Sequence, residues 1–165
     1  MRCVTQQPTR FFFDECLSKP VVESQITQSL RLYGSDAEVA HLLSKFEKQT
    51  PDSVWIPQLA NEGGWVIITA DRGRHSKKSE KLPLICRAYG VSHVLLSAKL
   101  HSRNMHKKAL AIDSSWDGLF AAGSAPKGCG YLLHLTSQDN FRLKPLGDAP
   151  RPEGVEKQKK FFEMD

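Results

Sequence analysis

Three aspartates lie beside apolar segments in a pattern that indicates a chemical site. Asp14 follows the apolar run at residues 11–13, and Asp71 follows the longer apolar run at residues 65–70. Asp52 lies at the start of the helical pattern that precedes this second run. In parallel α/β sheets, ligands bind at the carboxyl ends of the strands. The sequence therefore predicts that the three carboxylates gather at one edge of a sheet.

Carboxylates that gather at one edge repel one another, so the arrangement costs stability unless a cation is present. Oxygen-rich clusters of this kind suit Mg²⁺ or Mn²⁺. In hydrolysis, such an ion orients a water molecule, lowers its pKa and stabilises charge on a phosphate. We therefore predict that Asp14, Asp52 and Asp71 are both the metal ligands and the catalytic residues of a hydrolase.

Each acid also has a structural interpretation. Asp52 could serve only as the cap of a helix. Asp14 and Asp71 could be polar residues that end strands, although fully apolar runs precede both of them. Glu15 either shares the metal site or points into solvent, and we favour solvent.

The positive charge of the chain is concentrated in one segment. Ten Lys or Arg residues and one acid lie between residues 72 and 108, whereas the rest of the chain carries thirteen basic and seventeen acidic residues. Such clustering is typical of proteins that bind polyanions, because neutralising phosphates releases counterions. A solvated lysine-rich loop is the alternative. The contact with the nucleic-acid backbone is assigned to Arg72, Arg74, His75, Lys77, Lys78, Lys99 and Arg103, and the same basic loops contain Lys107 and Lys108.

Short β-rich runs alternate with helical stretches along the chain. The pattern predicts strands at residues 11–13, 38–43, 65–70, 93–97, 130–136 and 141–146. It predicts helices from Ser18 to Gly34, from Pro51 to Gly63, at residues 82–89 and at residues 105–122. This alternation predicts a Rossmann-like α/β fold, in which a mainly parallel central sheet is covered by helices on both faces in a three-layer α/β/α sandwich.

The 165 residues suit one domain, which we expect at residues 1–148, with a flexible C-terminal tail at residues 149–165. No stretch approaches the ~20 apolar residues of a membrane-spanning helix. The first eight residues lack the apolar segment of a secretory signal, so we expect a cytoplasmic protein. The four cysteines are far apart, which favours free thiols over disulfides or a zinc site. The six scattered histidines are expected on the surface or in the core.

Three segments resemble a known family. Residues 11–15, 51–56 and 66–71, which contain the three aspartates, are similar to PIN-like domains and more narrowly to the PIN-like toxins of toxin–antitoxin operons. The resemblance extends over residues 11–146. It implies an α/β/α sandwich, Mg²⁺- or Mn²⁺-dependent endoribonuclease activity on RNA, and a cognate antitoxin protein; a homodimer is also plausible for the family.

The resemblance also implies roles for individual residues. Asp14, Asp52 and Asp71 match the acids of the family's motifs by position. Many members place a fourth acid near the site, and here only Asp113 and Asp117 are available on the later helical segment.

Two other functions remain open. A receiver-type phosphoacceptor domain also has an acidic pair after its first strand, here Asp14 and Glu15, and an aspartate after its third, here Asp71. Ser97 and Lys144 could complete that set, but the basic residues after Asp71 and the presence of Asp52 would then have no explanation. The second alternative is a catalytically inactive PIN-like module that binds RNA or a protein.

Overall fold

The computed structural model describes residues 8–71 and 81–152, and its strands form one six-stranded sheet. The strands are β1 (Arg10–Phe13), β2 (Val39–His41), β3 (Trp65–Thr69), β4 (Ser92–Leu96), β5 (Gly130–Leu135) and β6 (Phe141–Pro145). Their order in the sheet is β2-β1-β3-β4-β5-β6. The first five strands are parallel, and β6 is antiparallel to β5.

Eight α-helices connect or follow the strands in the described part of the chain. They are α1 (Lys19–Val21), α2 (Thr27–Tyr33), α3 (Leu42–Lys45), α4 (Asp52–Glu62), α5 (Leu82–Tyr89), α6 (Ala98–His101), α7 (Met105–Asp113) and α8 (Trp116–Ser124). A π-helical turn at Val22–Ile26 joins α1 to α2, so the first helical stretch is continuous. It ends at Gly34, whose φ of 101° is accessible to glycine without steric cost.

Side chains of the central strands alternate between two apolar layers, as the pleat of a strand requires. Phe11 and Phe13 are buried in one core cluster together with side chains from α2, α7 and α8. Phe12 is buried in the other cluster, against side chains from α4 and α5. The sheet is therefore covered on both faces, and the predicted three-layer α/β/α architecture is confirmed.

The second predicted strand is shorter than the sequence indicated. Residues 38–43 form a strand only at Val39–His41, and the next residues turn into α3. The imidazole of His41 accepts a hydrogen bond from the Leu43 backbone N–H at 3.1 Å, so it caps the new helix. The apolar pair Leu42 and Leu43 extended the sequence pattern beyond this point, which is why the boundary was wrong.

The long helix predicted at residues 105–122 is two helices, α7 and α8. Ser114 and Ser115 separate them, and Ser115 has non-helical backbone angles. The Ser114 hydroxyl donates to the Leu110 carbonyl at 2.8 Å, a type of bond that bends helices. The short helix α6 was not predicted; it begins after Ser97, whose hydroxyl accepts a hydrogen bond from the Leu100 N–H.

The start of the predicted tail packs on the domain. Ala149 contacts the first core cluster, and the Tyr131 hydroxyl donates to the Pro150 carbonyl at 2.8 Å. Residues 153–165 lie outside the described residues. Cys16, Cys86 and Cys129 are free thiols, as predicted, whereas Cys3 also lies outside the description. Among the helices described, none is long and apolar enough to span a bilayer.

Candidate active site

Asp14 is held firmly at the carboxyl end of β1. Its backbone N–H donates to the Ile68 carbonyl of the neighbouring β3 at 3.2 Å. Its carboxylate accepts hydrogen bonds from the Cys16 backbone N–H at 2.9 Å and from the Thr69 hydroxyl. These contacts fix both oxygens of a carboxylate that is itself half-buried.

Thr69 connects Asp14 with Asp71. The threonine is fully buried at the last position of β3, and its hydroxyl donates to Asp14. The same hydroxyl oxygen accepts a hydrogen bond from the Asp71 backbone N–H at 3.0 Å. One side chain thus positions two of the acids, although the sequence analysis assigned it no role. A hydroxyl-bearing residue in an otherwise apolar strand is the signal that could have identified it.

Asp52 reaches the same cleft from α4, whose buried side chains pack in the core cluster that contains Phe12. It is the first residue of the helix, and the capping position belongs to Pro51. The Asp52 side chain makes no capping hydrogen bond; it accepts one from the Trp55 indole N–H at 3.0 Å. The structural interpretation of Asp52 as a helix cap is therefore wrong.

The three aspartates line one cleft of about 370 Å³ at the carboxyl edge of the sheet. The cleft floor includes Ala70 and Cys16, and Thr50 and Gln49 from the loop before α4 form part of its wall. Gln49 has a φ of 69°, an uncommon conformation for a residue other than glycine. Backbone strain of this kind occurs often beside functional sites.

Burial and the repulsion of nearby carboxylates raise the pKa values of Asp14 and Asp52. Desolvation raises the pKa of Asp52 to about 6, and the nearby charges of Asp71 and Asp14 contribute in the same direction. Desolvation also raises the pKa of Asp14, and the hydrogen bonds from Thr69 and Cys16 oppose this shift. Neither Asp14 nor Asp52 has a cationic partner within the described residues. The cleft therefore concentrates negative charge at a cost in free energy.

The donor set of the cleft fits a hydrated hard cation. Asp14, Asp52 and Asp71 offer carboxylate oxygens, which Mg²⁺ and Mn²⁺ prefer. In residues 8–71 and 81–152, no three His, Cys, Asp or Glu side chains converge closely enough to enclose an ion. Mg²⁺ usually keeps several waters and binds to proteins through one or two carboxylates. The roles of the three acids as ligands stay predictions.

The thiol of Cys16 lies beside Asp14 but is not set up as a nucleophile. Its pKa is raised well above its ordinary value, first by burial and then by the charge of Asp14. The buried Lys108 acts in the opposite direction on this pKa without overcoming the shift. The thiol donates to the Ile68 carbonyl at 3.5 Å and so helps to close the cleft floor.

The candidates for a fourth acid occupy different positions. Glu15 is exposed and lines the cleft, so it is near the three aspartates while remaining open to solvent. Asp113 accepts a hydrogen bond from the Ser29 hydroxyl, and Asp117 accepts one from the Tyr33 hydroxyl. Neither Asp113 nor Asp117 lines the cleft.

The basic residues predicted to contact the nucleic-acid backbone, together with Lys107 and Lys108 of the same loops, have different surroundings in the structure. Lys99 and Arg103 are exposed on and just after α6, which follows the carboxyl end of β4. Lys107 is engaged elsewhere, since its ammonium group lies 2.6 Å from the Asp139 carboxylate. Lys108 is buried in α7. The other residues of the predicted nucleic-acid contact lie outside the described residues. They are Arg72, Arg74, His75, Lys77 and Lys78.

The receiver interpretation is not supported by the two residues that were to complete it. The Ser97 hydroxyl is used as the cap of α6. Lys144 lies on β6 opposite Leu132, three positions before the carboxyl end of β5. It is therefore displaced from the edge that carries Asp14 and Asp71. The strand order alone does not exclude a receiver domain. Receiver domains have a flavodoxin-like fold, and flavodoxin-like folds share the order 2-1-3-4-5 of the first five strands here.

The mainly parallel α/β sandwich with three aspartates in one cleft at its carboxyl edge is consistent with a nuclease-type fold. A family model described as PIN like domain matches residues 9–97, more than half of the chain, and this chain belongs to that family. The matched segment contains all three cleft aspartates. No curated protein and no solved structure matches the chain.

Proposed function

We propose that the protein is a metal-dependent endoribonuclease that hydrolyses RNA phosphodiester bonds with Mg²⁺ or Mn²⁺ at the Asp14–Asp52–Asp71 cleft. One observation carries the proposal. Three acids from separate elements share one cleft, and the pKa of Asp52 rises to about 6 through burial and through the charges of the other two. A fold that keeps such charges together is arranged for a cation, and perturbed carboxylates in a cleft are typical of active sites.

In this mechanism the protein supplies position and charge. Asp14 is immobilised by Thr69 and Cys16, so its carboxylate is presented in one orientation. Asp52 and Asp71 complete the anionic wall from α4 and from the segment after β3. A bound Mg²⁺ or Mn²⁺ would lower the pKa of a water molecule and stabilise charge on the phosphate.

The RNA backbone is held by exposed cations beside the cleft. Lys99 and Arg103 are available for phosphate contacts, because both are exposed and neither forms an ion pair within residues 8–71 and 81–152. Phosphate neutralisation binds RNA with little dependence on sequence. The basic residues between 72 and 78 belong to the same proposal through their place in the sequence, directly after Asp71.

Cleavage of total cellular RNA tests the proposal. Purified protein is incubated with RNA and Mg²⁺ or Mn²⁺, with and without EDTA, beside the variants Asp14→Asn, Asp52→Asn and Asp71→Asn. The matched control is Asp113→Asn, because Asp113 bonds to Ser29 away from the cleft. We expect fragments that require metal, persist in Asp113→Asn and are lost in the three cleft variants.

Two other results would be informative. RNA that is retained in a gel-shift assay but never cut would favour the inactive binding module. Cleavage that continues in all three cleft variants would contradict the assignment of the site and point to a contaminating nuclease.

From the family resemblance we further propose that the protein is the toxin of a toxin–antitoxin pair, acts in the cytoplasm, and is occluded by a cognate antitoxin. A homodimer is part of the same proposal. Induced expression should then arrest growth, and Asp14→Asn should abolish the arrest. Growth arrest of equal extent by wild type and Asp14→Asn would contradict a nuclease toxin. Light scattering of the purified protein measures its oligomeric state.

A further inference from the structure

One histidine shares the cleft with the acids. His101 ends α6, and its side chain lines the same cleft as Asp14, Asp52 and Asp71. Because α6 follows β4, the topology of the sheet brings this residue to the carboxyl edge. From the sequence, the histidines were expected on the surface or in the core, and no function was predicted for His101.

The other described histidines are committed or located elsewhere. His41 is buried, with one ring nitrogen 2.8 Å from the Leu17 carbonyl and the other bonded to the Leu43 N–H. His93 is buried within the sheet, so close to Gly130 that an added Cβ would lie 2.6 Å from its ring. His106 is exposed but borders a separate cavity with Ser29 and Asp113. His134 lies on β5 outside the cleft lining, and its Nε2 is buried without a hydrogen-bond partner among the described residues.

His101 differs from these residues because it lines the cleft of the three aspartates. The residue is exposed, and its backbone is fixed by a 2.8 Å hydrogen bond from its N–H to the Ser97 carbonyl. Within the described part of the chain, the imidazole forms no hydrogen bond to another side chain. A substrate phosphate placed against the three acids would therefore meet a proton-carrying group that is not otherwise engaged.

We propose that His101 is a catalytic residue that protonates the leaving ribose oxygen during RNA hydrolysis, a role that rests on the proposed function. The oxygen of a water molecule forms the new bond to phosphorus, and the bond from phosphorus to the bridging ribose oxygen breaks. The electron pair of the broken bond stays on that oxygen, which takes a proton from the imidazolium of His101. The attacking water releases one proton to solvent, and solvent reprotonates the imidazole.

The test compares His101→Gln with His106→Gln on two kinds of RNA. The end groups left by wild type first identify which bridging oxygen leaves. The second substrate then carries sulfur in place of that oxygen, because a thiolate leaves without being protonated. We expect His101→Gln to cut ordinary RNA about 10² to 10⁴-fold more slowly than wild type, the usual contribution of a general acid. On the sulfur-containing RNA, wild type and His101→Gln should cut at similar rates, and His106→Gln should match wild type on both.

The outcomes separate this inference from the proposed function. If wild type cuts RNA and His101→Gln is equally slow on both substrates, His101 is not the general acid. If His101→Gln cuts ordinary RNA as fast as wild type, the inference also fails, while the nuclease stands. If wild type leaves all RNA intact, both proposals fail. Circular dichroism and the midpoint of thermal unfolding show whether each variant is folded.

Discussion

The protein uses aspartates in two contrasting ways. In the cleft, Asp14 and Asp52 are partly removed from water beside like charges, and their pKa values rise. On the helical layer, Asp113 and Asp117 are exposed and accept hydrogen bonds from the hydroxyls of Ser29 and Tyr33. The second pair ties α2 to α7 and α8, and the Trp116 indole N–H extends the link by donating to Ser29 at 2.8 Å.

The difference teaches that surroundings, and not residue type, distinguish a candidate site from a structural contact. Asp113 was a candidate fourth ligand in the sequence, but the structure uses it to join two helices. The cleft acids also accept hydrogen bonds, yet burial and mutual repulsion dominate the shift of Asp52. A cation, neutralisation and a change of pH should therefore affect the cleft acids and leave Asp113 and Asp117 largely unaffected.

A divalent cation should produce the largest difference between the groups. At a Mn²⁺ concentration of 100 times the dissociation constant, binding to the native state raises the free energy of unfolding by about 2.7 kcal/mol. We expect this gain in wild type and in Asp113→Asn but not in Asp14→Asn, measured by urea unfolding with and without Mn²⁺. Equal gains in all three proteins would show that the cation binds elsewhere.

Loss of the Thr69 hydroxyl should weaken the cleft without removing an acid. Thr69→Val keeps the shape of the side chain but frees Asp14 and the Asp71 backbone from their shared contact. Because groups that orient a ligand usually contribute 10 to 100-fold, we expect Mn²⁺ affinity to fall by about that factor in calorimetry. The matched variant is Ser29→Ala, which removes the hydroxyl that serves Asp113. Ser29→Ala should leave Mn²⁺ affinity unchanged. If Ser29→Ala lost as much affinity as Thr69→Val, the cleft acids would not differ from Asp113 in their role in Mn²⁺ binding.

Neutralising Asp52 should stabilise the metal-free protein. The pKa of Asp52 is about 6 in the folded protein against 3.8 ordinarily, so the folded state holds its proton to higher pH than the unfolded state. The associated stability is present below pH 3.8 and is lost as pH rises through 6. After a discount for solvent screening, Asp52→Asn should gain about 1 kcal/mol at pH 8. Urea unfolding across this pH range measures the gain.

Two controls sharpen this prediction. The advantage of Asp52→Asn should disappear near pH 4, where the wild-type carboxyl is also protonated. Asp113→Asn should show no gain at any pH, since Asp113 has a hydroxyl partner. If wild type is more stable than Asp52→Asn at pH 8 without metal, the prediction is wrong, because burial and the charges of Asp71 and Asp14 would then not destabilise the Asp52 carboxylate.

The smallest expected effect is the influence of one cleft acid on another. Asp71 raises the pKa of Asp52 through its charge, after the larger effect of burial. Asp71→Asn should therefore lower the Asp52 pKa, and Asp117→Asn should leave it unchanged. Carbon-detected NMR of the side-chain carboxyls follows both titrations in metal-free protein. An Asp52 pKa that is the same in wild type and Asp71→Asn would mean that the two carboxylates are too far apart to share a cation.

The sequence was most informative where side-chain type and backbone geometry agree. The apolar run at residues 65–70 and the glycine after residue 89 predicted β3 and α5 closely, because burial and a left-handed glycine leave few alternatives. Asp14 and Asp71 were visible because each follows an apolar run, and Asp52 because it begins a helical pattern. Thr69 and His101 were missed because their importance depends on strand register and on the unpredicted helix α6. Contacts between distant segments are not encoded in local periodicity.

The position of β1 in the sheet has a consequence for protein synthesis. β1 is made first among the described strands, but it lies between β2 and β3, which are made later. Asp14 meets its Thr69 partner only when a residue 55 positions further along the chain has emerged and paired. A ribosome that has made only the first strands therefore carries these acids apart, and no cleft exists. The cleft can form only after Thr69 and Asp71 have been made and β3 has paired with β1.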